Sequence, residues 1–162
     1  MRGLLVFFSA LLLAGCVHSA SQGNAYDVYF LSSEADEVPE SALMSERRFL
    51  MEGEEAVQGL LDCLLAGPVT EELEPAIPAG VTLLSWSLRE GLLTVDFSGR
   101  YGSLSGVALT LADYSVVLTL SQVEGVETVM ITADGDLLSY RDHQGLAAHD
   151  VCRQVFQREK AP

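Results

Sequence analysis

The chain has 162 residues, of which 49% are apolar, 20% charged and 7% aromatic, an ordinary globular composition that argues against a disordered, coiled-coil or polytopic membrane protein. Nine Lys and Arg against 23 Asp and Glu give a formal charge of −14, which repels a phosphate backbone and argues against nucleic acid as a partner. One folded domain is expected.

The chain opens MRGLLVFFSALLLAGC. Arg2 precedes an apolar run from Leu4 to Ala14, shorter than the roughly 18 residues a membrane-spanning helix needs, so residues 1–15 read as a secretory signal peptide. Its end, Leu13-Ala14-Gly15-Cys16, resembles the bacterial lipobox, which implies diacylglyceryl modification of Cys16 and cleavage before it. The competing reading is plain secretory cleavage beside a coincidental cysteine. Two or three acyl chains would hold the protein stably on a membrane, whereas one would not. Cleavage removes Arg2 and no acidic residue, so the mature chain is more acidic still. Residues 16–24 are small and polar after Cys16 and read as a flexible, lipid-anchored tether in which His18 is solvated. The domain is expected over residues 25–157, with a disordered tail at 158–162.

Two cysteines remain, Cys63 and Cys152. They cannot make a four-ligand zinc site, and there is no C-x-x-C pair. A disulfide between them is open to an exported protein. The preferred reading of Cys63, which falls within an apolar helical run, is a buried thiol acting as a small hydrophobe.

Tyr26–Leu31 is rich in aromatic and β-branched residues and predicts the first strand. The acidic stretch Ser32–Ser45 reads as a loop, which a short strand at Leu43–Phe49 with Arg47-Arg48 would extend. Val57, Leu60, Leu61, Leu64 and Leu65 recur at helical spacing from Glu54, and Gly67-Pro68 ends that helix. Val69–Gly80, with Pro75 and Pro78, is punctuated as a loop. Val81–Leu88 and Leu92–Phe97 form a hairpin around Arg89-Glu90-Gly91. Alternation sets Leu93, Val95 and Phe97 on the core face, Thr94 and Asp96 on the other, and Leu84 and Trp86 on the side opposite Leu83. After the Gly/Ser loop Ser98–Ser105, Thr110-Leu111-Ala112-Asp113 resembles a capping box opening a helix to about Gln122, apolar nearly all round and hence buried. Val126–Thr132 is a further strand, and Asp134-Gly135 turns into Leu137–Tyr140. The tail residues Leu146, Val151, Val155 and Phe156 are too sparse to assign. The order β-α-β-β-α-β-β predicts an α+β fold, a small mixed sheet with two helices packed on one face.

Leu64-Leu65-Ala66-Gly67-Pro68, Ile77-Pro78-Ala79-Gly80-Val81, Leu93-Thr94-Val95-Asp96-Phe97-Ser98, Leu118-Thr119-Leu120, and Gly125-Val126 before Asp134-Gly135 follow one another in an order that resembles the GerMN domain of bacterial sporulation and spore-germination lipoproteins, over about Tyr26 to Tyr140. The resemblance implies an extracytoplasmic domain similar in fold to ring-building modules, working through protein contacts and bringing no catalytic residues. Family members can carry two such domains in tandem; this chain has room for one.

No nucleophile elbow, P-loop, H-E-x-x-H or G-x-G-x-x-G is present in the sequence. His143, His149 and Cys152 lack a fourth metal ligand at suitable spacing, and Asp134-Gly135-Asp136 lacks the other oxygen ligands of a calcium loop. Asp96 and Asp113 are read as a polar-face strand residue and a helix-cap partner rather than a catalytic pair, and Trp86 as a core or rim aromatic. The expected protein is therefore a non-enzymatic lipoprotein, with no catalytic, cofactor or metal residues, lipidated at Cys16. It would act on the extracytoplasmic face of the bacterial cytoplasmic membrane as an interaction or scaffold module in sporulation or germination. Its partners would be the membrane and envelope or sporulation proteins, and the first strand or the tail would offer the contact edge. A ligand-binding or sensor lipoprotein is the alternative.

Overall fold

The structure is a computed structural model, and it describes residues 23–33, 42–51, 54–138 and 145–151. Cys16, His18, His143 and Cys152 lie outside these residues. The fold is α+β, with the strands divided between two sheets rather than gathered in one.

The first sheet has the order β2-β1-β3. Strand β1 (Asn24–Ser32) buries Tyr26, Val28, Phe30 and Ser32 and leaves the residues between them half-covered, the alternation expected of a strand with one face in the core. Strand β2 (Leu43–Leu50) runs antiparallel to it from Asn24↔Leu50 to Leu31↔Leu43. Strand β3 (Leu73–Glu74), inside the stretch read as loop, pairs with only Leu31 and Ser32.

Helix α1 (Glu54–Ala66) buries Val57, Leu60, Leu61 and Leu64. It stops where expected, with Gly67 in the left-handed region at φ +84° and its N–H donating to the Cys63 carbonyl at 3.1 Å. Gly59 lets the helix close on β2, because a Cβ there would sit 3.2 Å from the Leu50 methyls.

The second sheet has the order β4-β5-β6-β7. Strands β4 (Leu83–Arg89) and β5 (Leu92–Phe97) are joined by Glu90-Gly91, both at positive φ, the two-residue turn whose twist suits a hairpin. Leu93, Val95 and Phe97 face the core as expected. In β4 the alternation breaks. Pairing jumps from Leu83↔Phe97 to Ser85↔Asp96, so Leu84 is an extra, bulged residue. The bulge brings Leu83 to the same side as Trp86 and Leu88, against the core, and leaves Leu84 exposed.

The Gly/Ser segment contains a single turn, α2 (Gly99–Gly102), whose Tyr101 is fully buried and stacks on Phe97 at 4.9 Å. Helix α3 (Gly106–Leu120) begins four residues before the sequence-based capping box. Ser105 stands at its N-cap position, Thr110 Oγ1 donates back to the Gly106 carbonyl at 3.1 Å, and Asp113 turns into the core. The chain then runs into β6 (Thr128–Ala133), parallel to β5, and through the positive-φ pair Asp134-Gly135 into β7 (Asp136–Leu137). The tail joins the fold: Leu146 and Val129 exchange backbone hydrogen bonds of 2.9 Å, and Ala147 and Val151 are buried.

Most of the β1 edge facing away from β2 has no strand beside it, and helix α3 lies there instead. Gln122 accepts from the Asp27 N–H at 2.9 Å and donates to the Asp27 carbonyl at 2.6 Å. Thr119 Oγ1 accepts from the Tyr29 N–H at 3.0 Å, and Ser115 Oγ donates to the Tyr29 carbonyl at 2.6 Å. Residues 115 and 119 lie along one face of α3 and Gln122, in the turn that follows it, continues that line, so their side chains meet the outward backbone groups of alternate strand residues. Thr119→Val, which keeps the shape of a fully buried side chain and takes away the acceptor of the Tyr29 N–H, is expected to lower stability by about 1–3 kcal/mol in urea unfolding. Thr110→Val, on the exposed side of α3, should cost less than about 0.5 kcal/mol.

Candidate functional site

The first strand cannot supply a contact edge. It is the central strand of its sheet, with β2 on one side and β3 and the α3 side chains on the other. The open edge belongs to β2. Because Asp27, Tyr29 and Leu31 aim their backbone groups away from β2, their register partners Arg47, Ser45 and Leu43 aim theirs away from β1. No strand among the described residues pairs with that side.

Side chains on this edge are unusually apolar for solvent. Met44 is 48%, Phe49 71% and Met51 52% exposed, three of the eight large exposed apolar residues among those described. An edge of eight residues without Pro or Lys lacks two common protections against further pairing. The charges it has are Glu46, Arg47 and Arg48. Arg47 Nε lies 3.1 Å from Asp27 Oδ1, and both are well exposed, so this pair contributes little to stability.

Glu46 lies on the opposite face of β2, with only 10% of its side chain exposed. Its carboxylate accepts the Val69 N–H at 3.1 Å, the Thr70 N–H at 3.0 Å, the Thr70 hydroxyl at 2.8 Å and the guanidinium of Arg48. Burial pushes its pKa up, but the Thr70 and Val69 hydrogen bonds together with that from Arg48 outweigh it and hold the carboxyl below the ordinary range. The carboxylate thus ties the loop after α1 to β2. Burial raises the pKa of the half-buried, free Cys63 nearby, a shift that the positive charge of Arg48 only partly offsets, so its thiol is a poor nucleophile.

The acidic residues weighed from the sequence serve separate structural networks. Asp96 Oδ1 accepts the Thr132 hydroxyl at 2.7 Å and the Gly135 N–H at 2.9 Å, fixing the β6–β7 turn. Asp113 is buried and accepts the Tyr101 hydroxyl at 2.7 Å, so it is a core partner of α2 rather than a helix cap. Asp134 and Gly135 form the turn itself, and among the described residues no group of three or more His, Cys, Asp and Glu could hold a metal. Trp86 sits at the rim, its Nε1 donating to Gln58 Oε1 of α1 at 2.9 Å. His149 is exposed, 3.4 Å from Asp150.

Sequence reasoning offered Leu43–Phe49 only as a short strand extending a loop and left it out of the β-α-β-β-α-β-β order, whereas two strands precede α1, so the open edge was not placed. Edge position depends on what α3 does to β1, a contact between residues about 90 apart in sequence. Because Glu46 has a lower pKa folded than unfolded, its carboxylate contributes stability at neutral pH that is lost as pH falls through the unfolded and then the folded value. Glu46→Gln should therefore lower the melting temperature at pH 7 and show a shallower loss than the parent between about pH 5 and pH 3. Parallel pH profiles of the two proteins would contradict this.

The family model described as Germane, sporulation and spore germination, matches residues 27–139. The fold is similar to the tandem GerMN domains of the sporulation protein GerM from Bacillus subtilis, with a TM-score of 0.64 and 17% identity, over 78% of this chain and 47% of that one. This chain thus spans about half the length of the tandem structure. It is also similar to the first GerMN domain of that protein (TM-score 0.59, 18% identity, 76% of this chain and 92% of that one). A Clostridium perfringens protein described as a candidate lipoprotein gives a TM-score of 0.52 at 19% identity, over 82% of this chain and 92% of that one. No functionally curated protein matches significantly. With its two sheets, its helices and the matched span together, this chain belongs to the Germane family of sporulation and spore germination.

Proposed function

We propose that the protein is a non-enzymatic lipoprotein, anchored through Cys16 on the extracytoplasmic face of the membrane, which works in sporulation or germination by holding another protein chain against the outer edge of β2. The observation that carries this reading is the edge itself: a strand of eight residues whose alternate backbone groups point outward, with Met44 and Phe49 exposed on it and Met51 exposed just beyond its end, a surface suited to strand addition. Family membership supports the process. The signal-like segment ending Leu13-Ala14-Gly15-Cys16 supports the anchor, as does the similarity to a candidate lipoprotein. Among the described residues no helix is long and apolar enough to cross a membrane, which suits attachment through lipid. The two carboxylates most open to a catalytic reading, Asp96 and Asp113, are each engaged in a structural network.

Anchor and contact have separate tests. Cys16→Ser should abolish metabolic labelling by fatty acid and release the protein from the membrane fraction; continued labelling would refute the site. A photo-crosslinking amino acid at Phe49 should capture a discrete protein in sporulating cells, while the same probe at Thr110 captures none. Identical patterns at the two positions would overturn β2 as the contact surface.

A further inference from the structure

We propose that the occupant of the β2 edge is β2 of a second copy, paired antiparallel about a two-fold axis that sets Arg47 opposite the second copy's Arg47. This rests on the reading of β2 as the contact surface and names what covers it. A symmetric antiparallel pair must place some residue opposite itself, because opposed residues share a face. The outward backbone groups at Leu43, Ser45 and Arg47, continued by alternation to Phe49 and Met51, would then pair in full. Ser45 would meet the second copy's Phe49, and Leu43 its Met51.

Charge selects this register from its neighbours. Centring on Glu46 or on Arg48 would oppose like charges on the face where Glu46 is 10% and Arg48 25% exposed, and like charges directly opposite are destabilising. Centring on Arg47 puts Glu46 opposite the second copy's Arg48, twice by symmetry. Met44 meets the second copy's Leu50, so both exposed methionines and Phe49 gain cover together. The like charges that remain, Arg47 and its symmetry mate, lie on the open face, where each guanidinium keeps its own Asp27 at 3.1 Å. The result would be one continuous sheet of order β3-β1-β2-β2-β1-β3.

The register is tested by oxidative crosslinking of the full exported chain in phosphatidylethanolamine/phosphatidylglycerol vesicles, with copper phenanthroline as oxidant and the unsubstituted chain as background. Arg47→Cys should form a disulfide-linked dimer at least ten-fold faster than Ser45→Cys. An equal mixture of Ser45→Cys and Phe49→Cys chains should give the mixed dimer in preference to either symmetric one. Ser45→Pro, which removes an outward N–H and no bond to β1, should suppress crosslinking through Arg47→Cys while leaving the melting temperature within a few degrees. Equal rates at 45 and 47, or no dimer above background, would overturn the second copy as occupant. If the Phe49 photo-probe still captured a different protein, the edge reading would stand without it; if that probe also captured nothing, both would fall.

Discussion

The structure depends on a helix taking the place of a strand. Ser115 and Thr119 of α3, with Gln122 just past its end, carry the N–H and C=O groups of Asp27 and Tyr29 that a neighbouring strand would otherwise satisfy. Buried backbone groups without partners cost as much as lost hydrogen bonds, so without this stripe β1 would need a longer partner strand than the two residues of β3. Because the stripe is there, α3 can lie between the two sheets, reaching β1 on one side and β6 on the other, and its nearly all-round burial follows. The same contact makes β1 the centre of its sheet and leaves β2 as the edge.

Much of this fold was legible in the sequence, because local rules and packing agree there. The helix ending at Gly67 needs a left-handed residue, and the two hairpin turns need the positive φ that Glu90-Gly91 and Asp134-Gly135 adopt. Hydrophobic alternation placed Leu93, Val95 and Phe97 correctly. Three misreadings have one kind of cause, a long-range contact overriding a local pattern. The Thr110–Asp113 motif reads as a cap, but Asp113 is claimed by the Tyr101 hydroxyl from a turn that packs its ring on Phe97. Leu84 breaks strand alternation because β4 bulges to bring both Leu83 and Trp86 onto the core. One sheet was expected where two exist, since no local signal shows that a helix intervenes between β1 and the β4–β7 strands.

The candidate site was less legible than the fold. Cys16 is a sequence feature and stands apart from the described residues. The open edge, by contrast, is a property of topology: the pattern of β2 alone, with Met44, Arg47, Arg48 and Phe49, fits an interior strand as well as an edge. Glu46 shows how a single side chain links the two levels, since its carboxylate holds the 69–70 loop against β2 while lying beside the edge itself. The strong negative charge of the chain disfavours close contact of its surface with an anionic leaflet, so the attachment proposed above would rest on lipid at Cys16.

Residue-resolved amide hydrogen exchange, read across a dilution series of the full chain, tests the central claim most directly. Asp27 and Tyr29, whose N–H groups donate to the side chains of Gln122 and Thr119, should be protected near the level of the core at every concentration. Ser45 and Arg47, at the open edge, should exchange rapidly at the lowest concentration. Asp27 and Tyr29 exchanging as fast as Ser45 and Arg47 in dilute solution would contradict the substitution of α3 for a strand, and with it the assignment of the edge.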